Sequence, residues 1–181
     1  AREAGLATHL DGARLMNAVV ASGIDAAEWA GAFDSAWLDF TKGLGAPVGA
    51  CLAGPADFID EAWRWKQMMG GAMRQSGIVA AAGLYALDHH VERLADDHAR
   101  ARRLAEGLAA LPGVELDPVT VETNIVVFAV PDAAAFATAL AAEDVEMSQF
   151  GPTRMRAVTH LDVNRTDIDA ALKVINDVMA A

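Results

Sequence analysis

DFTKGLGAPVG, residues 39–49, sets a lysine ahead of three glycines and a proline. A phosphate-binding P-loop places its glycines before the lysine, and here they follow it. A dinucleotide fingerprint needs its glycines between a strand and a helix, and residues 43–49 have neither that spacing nor a following helix. FDSAWLDFTKG (33–43) reads as a strand, so Lys42 stands at a strand's carboxyl end, where α/β sheets bind their ligands. A lysine there, flanked by residues without side chains, is expected deep in a cleft, where desolvation and neighbouring cations favour the neutral amine. A neutral amine attacks carbonyls and yields a Schiff base. The spacing alone also fits a solvated lysine in a Gly-rich turn.

HLDGARL, residues 9–15, is the second informative stretch. Asp11 ends a short strand, Gly12 follows, and Arg14 opens a helix that stops at Gly23. A carboxylate at a strand end can hold a proton on a ring nitrogen, and a nearby arginine can grip a carboxylate with two bonds. An N-terminal helix cap and a surface arginine fit the same letters. Asp11 and Lys42, about thirty residues apart with one helix between, are expected from neighbouring strands.

Composition narrows the function. The chain has 181 residues, 54% of them apolar, and 14 Lys+Arg against 25 Asp+Glu, for a net charge of -11. Such a chain folds and repels nucleic acid and anionic membrane, so neither is an expected partner. No apolar run approaches the roughly 20 residues that span a bilayer. Cys51 is alone, which excludes an internal disulfide and fits a reducing, cytoplasmic compartment. It reads as a small buried hydrophobe. His9, His89, His90, His98 and His160 offer no metal-ligand spacing, and no metal is expected. Trp29, Trp37, Trp63 and Trp65 read as packing or interface residues.

The fold expected is α/β followed by a smaller α+β domain. APVGACLAG (46–54) reads as a strand apolar on both faces, in the middle of a sandwiched sheet. PADFIDEAWRWKQMM and IVAAAGLYALDHH read as helices. VERLADDHARARRLAEGLAAL reads as a long helix whose charges, Arg93 and Asp97 among them, mark a wet face. Then come a strand TNIVVFAV, a helix DAAAFATALAAE, strands DVEMSQFG and TRMRAVTHLD, and a helix capped by Thr166. The boundary falls in or near the long helix, giving domains 1–96 and 97–181.

Four motifs in order, HLDGARL, TKGLGAPVGA, RWKQMMGGAMRQSGIVAAAGLYAL and RAVTHLDV, resemble those of the low-specificity L-threonine aldolases. These belong to the β-eliminating-lyase group of fold-type I pyridoxal-phosphate enzymes. The resemblance implies the C-terminal part of the fold-type I large domain plus a small α+β domain. It implies that Lys42 forms the internal aldimine with pyridoxal 5′-phosphate and that Asp11 pairs with the pyridinium nitrogen. Thr41 keeps the hydroxyl before the lysine, at the cofactor. Arg14 is implied at the substrate carboxylate and the cofactor's ring oxygen, Arg156 at the substrate carboxylate, and Arg74 at the cofactor phosphate of a neighbouring subunit. The implied reaction cleaves a small β-hydroxy-α-amino acid, of threonine, allo-threonine or phenylserine type, to glycine and an aldehyde. The alternatives are β-elimination on the same cofactor or a non-catalytic assembly piece. A shared site implies a homodimer or homotetramer. Gln67 stands where several relatives carry lysine, and Ala72 interrupts a glycine run. The family's N-terminal half has no counterpart here, so the chain is expected to be a C-terminal piece that needs its own N-terminal half or a partner chain.

Overall fold

Two strands start side by side because Thr8 and Asp34 hold each other. The Asp34 carboxylate accepts hydrogen bonds from the Thr8 amide (2.6 Å) and hydroxyl (2.8 Å). From there β1 (His9–Gly12) and β2 (Ser35–Asp39) run parallel, with His9 opposite Ser35 and Asp11 opposite Trp37. A parallel pair needs a crossover, and it is made by two helices, α1 (Leu15–Ser22) and α2 (Ala26–Gly31), rather than the one expected. Gly23 ends α1 with φ 71°, a left-handed turn that glycine enters at no steric cost. The Asp25 carboxylate caps α2 by accepting from the Ala27 amide.

The pairing of β1 with β2 is unusually close at Gly12. A Cβ built there would lie 1.8 Å from the Trp37 carbonyl oxygen. No side chain fits, so glycine is a condition of this strand pair.

The computed structural model describes residues 1–180 and divides them into two units, Ala1–Leu94 and Ala95 onward. In the first, β3 (Ala50–Ala53) pairs antiparallel with β2, giving the strand order β1-β2-β3. This corrects one expectation: β3 is an edge strand of four exposed residues and does not lie mid-sheet. Cys51 is exposed with it and is not a buried hydrophobe. Continuous apolar character reports neither neighbours nor cover, and among the described residues β3 has one strand neighbour. The unit's core is small. Leu44, Ala46, Ala86 and Leu94 are buried, with Met16, Val20 and Phe40 against them. Helices α3 (Ala56–Met68) and α4 (Gly77–His89) follow, and Trp63, Trp65, Met68, Met69, Ile78 and Leu84 stand exposed around them.

The second unit packs helix on sheet. Helix α5 (Leu94–Ala109) leads into it, followed by β4 (Ile125–Ala129), α6 (Ala133–Ala141), β5 (Ser148–Gln149), β6 (Arg154–Val158) and α7 (Arg165–Ala180). The sheet is antiparallel in the order β4-β6-β5. Period-two alternation sends Val126, Phe128, Met155 and Ala157 inward. They meet Leu104, Leu108, Leu140, Ile168 and Ile175, and each large side chain buried this way contributes about 1.5–3 kcal/mol. Residues 114–117 form no strand beyond a bridge from Glu115 to Ala129.

Two further expectations are corrected here. Asp97 does not mark a wet face: it is buried and pairs with Arg100 at 3.1 Å. Thr159 donates its hydroxyl to the Asp97 carbonyl, and Asn124 donates to the Thr159 carbonyl, so the end of β6 is tied to α5 and to the start of β4. The cap of α7 is Asn164, not Thr166. The Asn164 side chain accepts from the Thr166 and Asp167 amides, and Asp167 accepts from the Asn164 amide, a reciprocal capping box. Among the described residues no helix is long and apolar enough to cross a membrane.

Two outcomes follow from the β1–β2 pair. Gly12→Ala lowers stability by more than about 2 kcal/mol in urea titrations, whereas Gly31→Ala, with open space around its Cβ position, does not. The Asp34 carboxyl is held below its ordinary value by the Thr8 amide and then by the Thr8 hydroxyl. Its contribution is therefore fully present above about pH 4 and is lost as pH falls through its folded-state value. Asp34→Ala lowers the urea midpoint at pH 7, and the gap from wild type closes in acid.

Candidate active site

The carboxyl ends of parallel β1 and β2 lie at one edge of the sheet, and Asp11, Arg14, Thr41 and Lys42 lie along it. Asp11 is exposed on β1 and accepts a hydrogen bond from the Ala13 amide at 3.0 Å. Its register partner is Trp37, and paired residues share a face. The His9 Nδ1–Ser35 Oγ contact at 2.8 Å, one pair earlier on the same face, shows the arrangement. Alternation along β2 then adds Asp39 to the face that carries Trp37. Arg14, half-buried, is the N-cap residue of α1 and so begins its helix at this edge.

Lys42 stands three residues beyond β2. Its Nζ lies 3.0 Å from Asp39 Oδ2 and 5.4 Å from the centre of the Trp37 ring. Register thus brings Asp11, Trp37, Asp39 and Lys42 to one face, from two strands and one turn. The setting expected for the lysine is corrected in one respect. Its side chain is 42% exposed and ion-paired, and is not sequestered in a deep cleft. Glycines after the lysine provide close backbone packing here. A Cβ on Gly43 would lie 2.6 Å from Asn17 Oδ1, and Asn17 itself is buried. Leu44 and Ala46 are buried on either side of exposed Gly45.

Asp39 was not legible as a site residue, and it organises the turn. Thr41 donates both its amide and its hydroxyl to Asp39 Oδ1, each at 2.6 Å. Burial opposes ionisation of Asp39, but the Thr41 hydroxyl, the Thr41 amide and Lys42 together outweigh it, and the carboxyl is held below its ordinary value. The one available signal was its position, three residues before the lysine at the end of an alternating strand.

Two further candidate arginines belong to other elements. Arg74 is exposed in the segment between α3 and α4. Arg156 belongs to the second unit, in the central strand β6, flanked in register by Val127 and Ser148. Its neighbours Met155 and Ala157 point into the core, so Arg156 lies on the other face of that sheet. The donor set suits an aromatic aldehyde phosphate: a primary amine for the aldehyde, a carboxylate for a ring nitrogen, and hydroxyl and guanidinium groups for anions.

The sequence profile of the beta-eliminating lyase family matches residues 1–131. The chain is 44% identical over 169 residues to the low specificity L-threonine aldolase of Escherichia coli K12, covering 92% of this chain and 49% of that protein. It is 33% identical over 184 residues to low-specificity L-threonine aldolase 1 of Arabidopsis thaliana, covering 99% of this chain and 51% of that one. Among solved structures it resembles an aromatic amino acid beta-eliminating lyase/threonine aldolase from Exiguobacterium sp. 255-15, a provisional assignment for that protein. There the TM-score is 0.79 at 29% identity, covering 98% of this chain and 54% of that chain. The chain spans about half the length of the curated relatives it matches, in their C-terminal half. Its α/β fold is that of the fold-type I group. With a family profile matched across β1, the lysine turn and β4, this chain belongs to the beta-eliminating lyase family.

Proposed function

We propose that this chain supplies the cofactor lysine, the ring-nitrogen carboxylate and the substrate-carboxylate arginines of a pyridoxal-phosphate-dependent enzyme. The enzyme would cleave a small β-hydroxy-α-amino acid to glycine and an aldehyde. One observation carries the reading: in a chain of this family, Asp11 and Lys42 reach one sheet edge from adjacent parallel strands. The first unit is read as the C-terminal part of the cofactor domain and the second as the small domain.

When bound, pyridoxal phosphate supplies an aldehyde that takes up amines and a ring that accepts the electron pair of a breaking bond. The chain's own residues do the rest. Lys42 would hold the cofactor at its aldehyde through the side-chain amine. The Asp11 carboxylate keeps a proton on the ring nitrogen and so keeps the ring able to accept electrons. Thr41 would contact the cofactor, and Arg74 the cofactor phosphate of a neighbouring subunit. Arg14 and Arg156 would each offer a guanidinium to the substrate carboxylate. These cations give a protein of net charge -11 a local welcome for anionic ligands.

We read the assembled protein as a cytoplasmic homodimer or homotetramer. Support for assembly comes from the apolar residues exposed around α3 and α4, Trp63, Trp65, Met68 and Met69. The single cysteine supports a reducing compartment.

Product analysis of the full polypeptide with threonine and phenylserine tests the reaction. Glycine and an aldehyde are expected, whereas ammonia and a keto acid would assign β-elimination instead. Lys42→Ala is expected to abolish the visible absorption band of bound cofactor, and a surviving band overturns the lysine assignment. Asp11→Ala lowers kcat by about 100-fold, the scale of losing one charge-stabilising group. Arg156→Ala raises KM by about 10- to 100-fold, the cost of one charge-assisted contact.

A further inference from the structure

We propose that Asp39 is a positioning residue that sets where Lys42 Nζ stands, and is not only the cap of the turn after β2. This rests on the reading of Lys42 as the cofactor lysine.

An exposed ion pair is ordinarily a poor positioning device, because both ends move. Here one end is held. Asp39 is 7% exposed, and both of its oxygens are engaged, Oδ1 by Thr41 and Oδ2 by Lys42. The backbone beneath Lys42 is held as well. Thr41 is tied to Asp39 on one side, and on the other Gly43 lies against Asn17 with no room for a Cβ. What remains free is the lysine stem, four rotatable bonds whose ordering costs rotamer entropy. Asp39 selects one arrangement of that stem, with the nitrogen near the face of Trp37. Because Trp37 is the register partner of Asp11, the selected arrangement lies on the face that carries the proposed ring-nitrogen carboxylate. Once its extra proton has passed to solvent, which reaches this half-exposed side chain, a nitrogen held in that place attacks a bound aldehyde more readily than one that samples many positions.

Asp39→Asn separates the two roles. Asparagine still accepts from the Thr41 amide and hydroxyl, so the turn keeps its cap, but the charge facing Lys42 is gone. The experiment uses the full polypeptide that carries this sequence, with pyridoxal 5′-phosphate as the probe. Covalent capture is stopped at intervals with borohydride, and the labelled peptides are counted by mass spectrometry. Wild type labels Lys42. In Asp39→Asn, labelling at Lys42 slows by about tenfold, the scale of one charge-assisted contact. The melting temperature stays within the wild-type range, and labelling at Lys66 and Lys173 is unchanged. Asp39→Glu, which restores the charge, recovers part of the rate. If Asp39→Asn melts early, Asp39→Ser, which also removes the charge and keeps an acceptor for Thr41, is held to the same expectation. Labelling of Lys42 at the wild-type rate in a folded, uncharged variant overturns the proposal. Wild-type labelling confined to Lys66 or Lys173 defeats the cofactor reading itself, and the inference falls with it.

Discussion

The approach of β1 to β2 at Gly12 is the constraint on which the rest of the first unit depends. The Trp37 carbonyl occupies the space a side chain would need, so only glycine fits at that point of the strand pair. Thr8 and Asp34 fix the start of the same pair, and between these points the register has no freedom to slip. A shift by one residue would send Asp11 to the opposite face from Trp37 and Lys42. The chemistry proposed for the site therefore rests on a steric fact in the backbone.

Charge is arranged around that frame in layers. The protein as a whole is acidic, yet the turn after β2 balances one buried carboxylate against one lysine. Thr41 stabilises the carboxylate, which in turn holds the lysine, so Asp39, Thr41 and Lys42 act as one unit. In the second unit, Asn124, Thr159 and Asp97 tie the end of β6 to its neighbours, and the strand that carries Arg156 is anchored from within the core. Thr159 and Arg156 belong to the same short motif, one buried and the other on the opposite face of the sheet from Met155 and Ala157.

Much of this was legible in the sequence, and the boundary of legibility has a physical cause. The β1-turn-α1 unit, the helix stop at Gly23 and the alternation of β4 and β6 are local, and local sequence encodes them. Adjacency of the Asp11 and Lys42 strands was also inferable, because a short crossover favours it. Burial was not. An apolar strand reads alike in the middle of a sheet and at its edge, and ACLA at 50–53 lies at the edge. Asp97 and Asp39 look like ordinary surface carboxylates until tertiary packing covers them. The cap of α7 was misplaced by two residues, although the Asn164–Asp167 spacing carries the capping-box signature. The setting of Lys42 was misjudged because its partner is an anion inside its own motif and not a neighbouring cation.

The account stands or falls on whether Asp11 meets the cofactor that Lys42 is proposed to hold. The direct measurement is the nitrogen-15 chemical shift of the ring nitrogen of labelled pyridoxal 5′-phosphate bound to the full polypeptide, compared with the Asp11→Ala variant. A protonated-pyridine shift in wild type that moves to the neutral range in the variant is the expected result. An identical shift in both, with cofactor bound to each, would contradict the account.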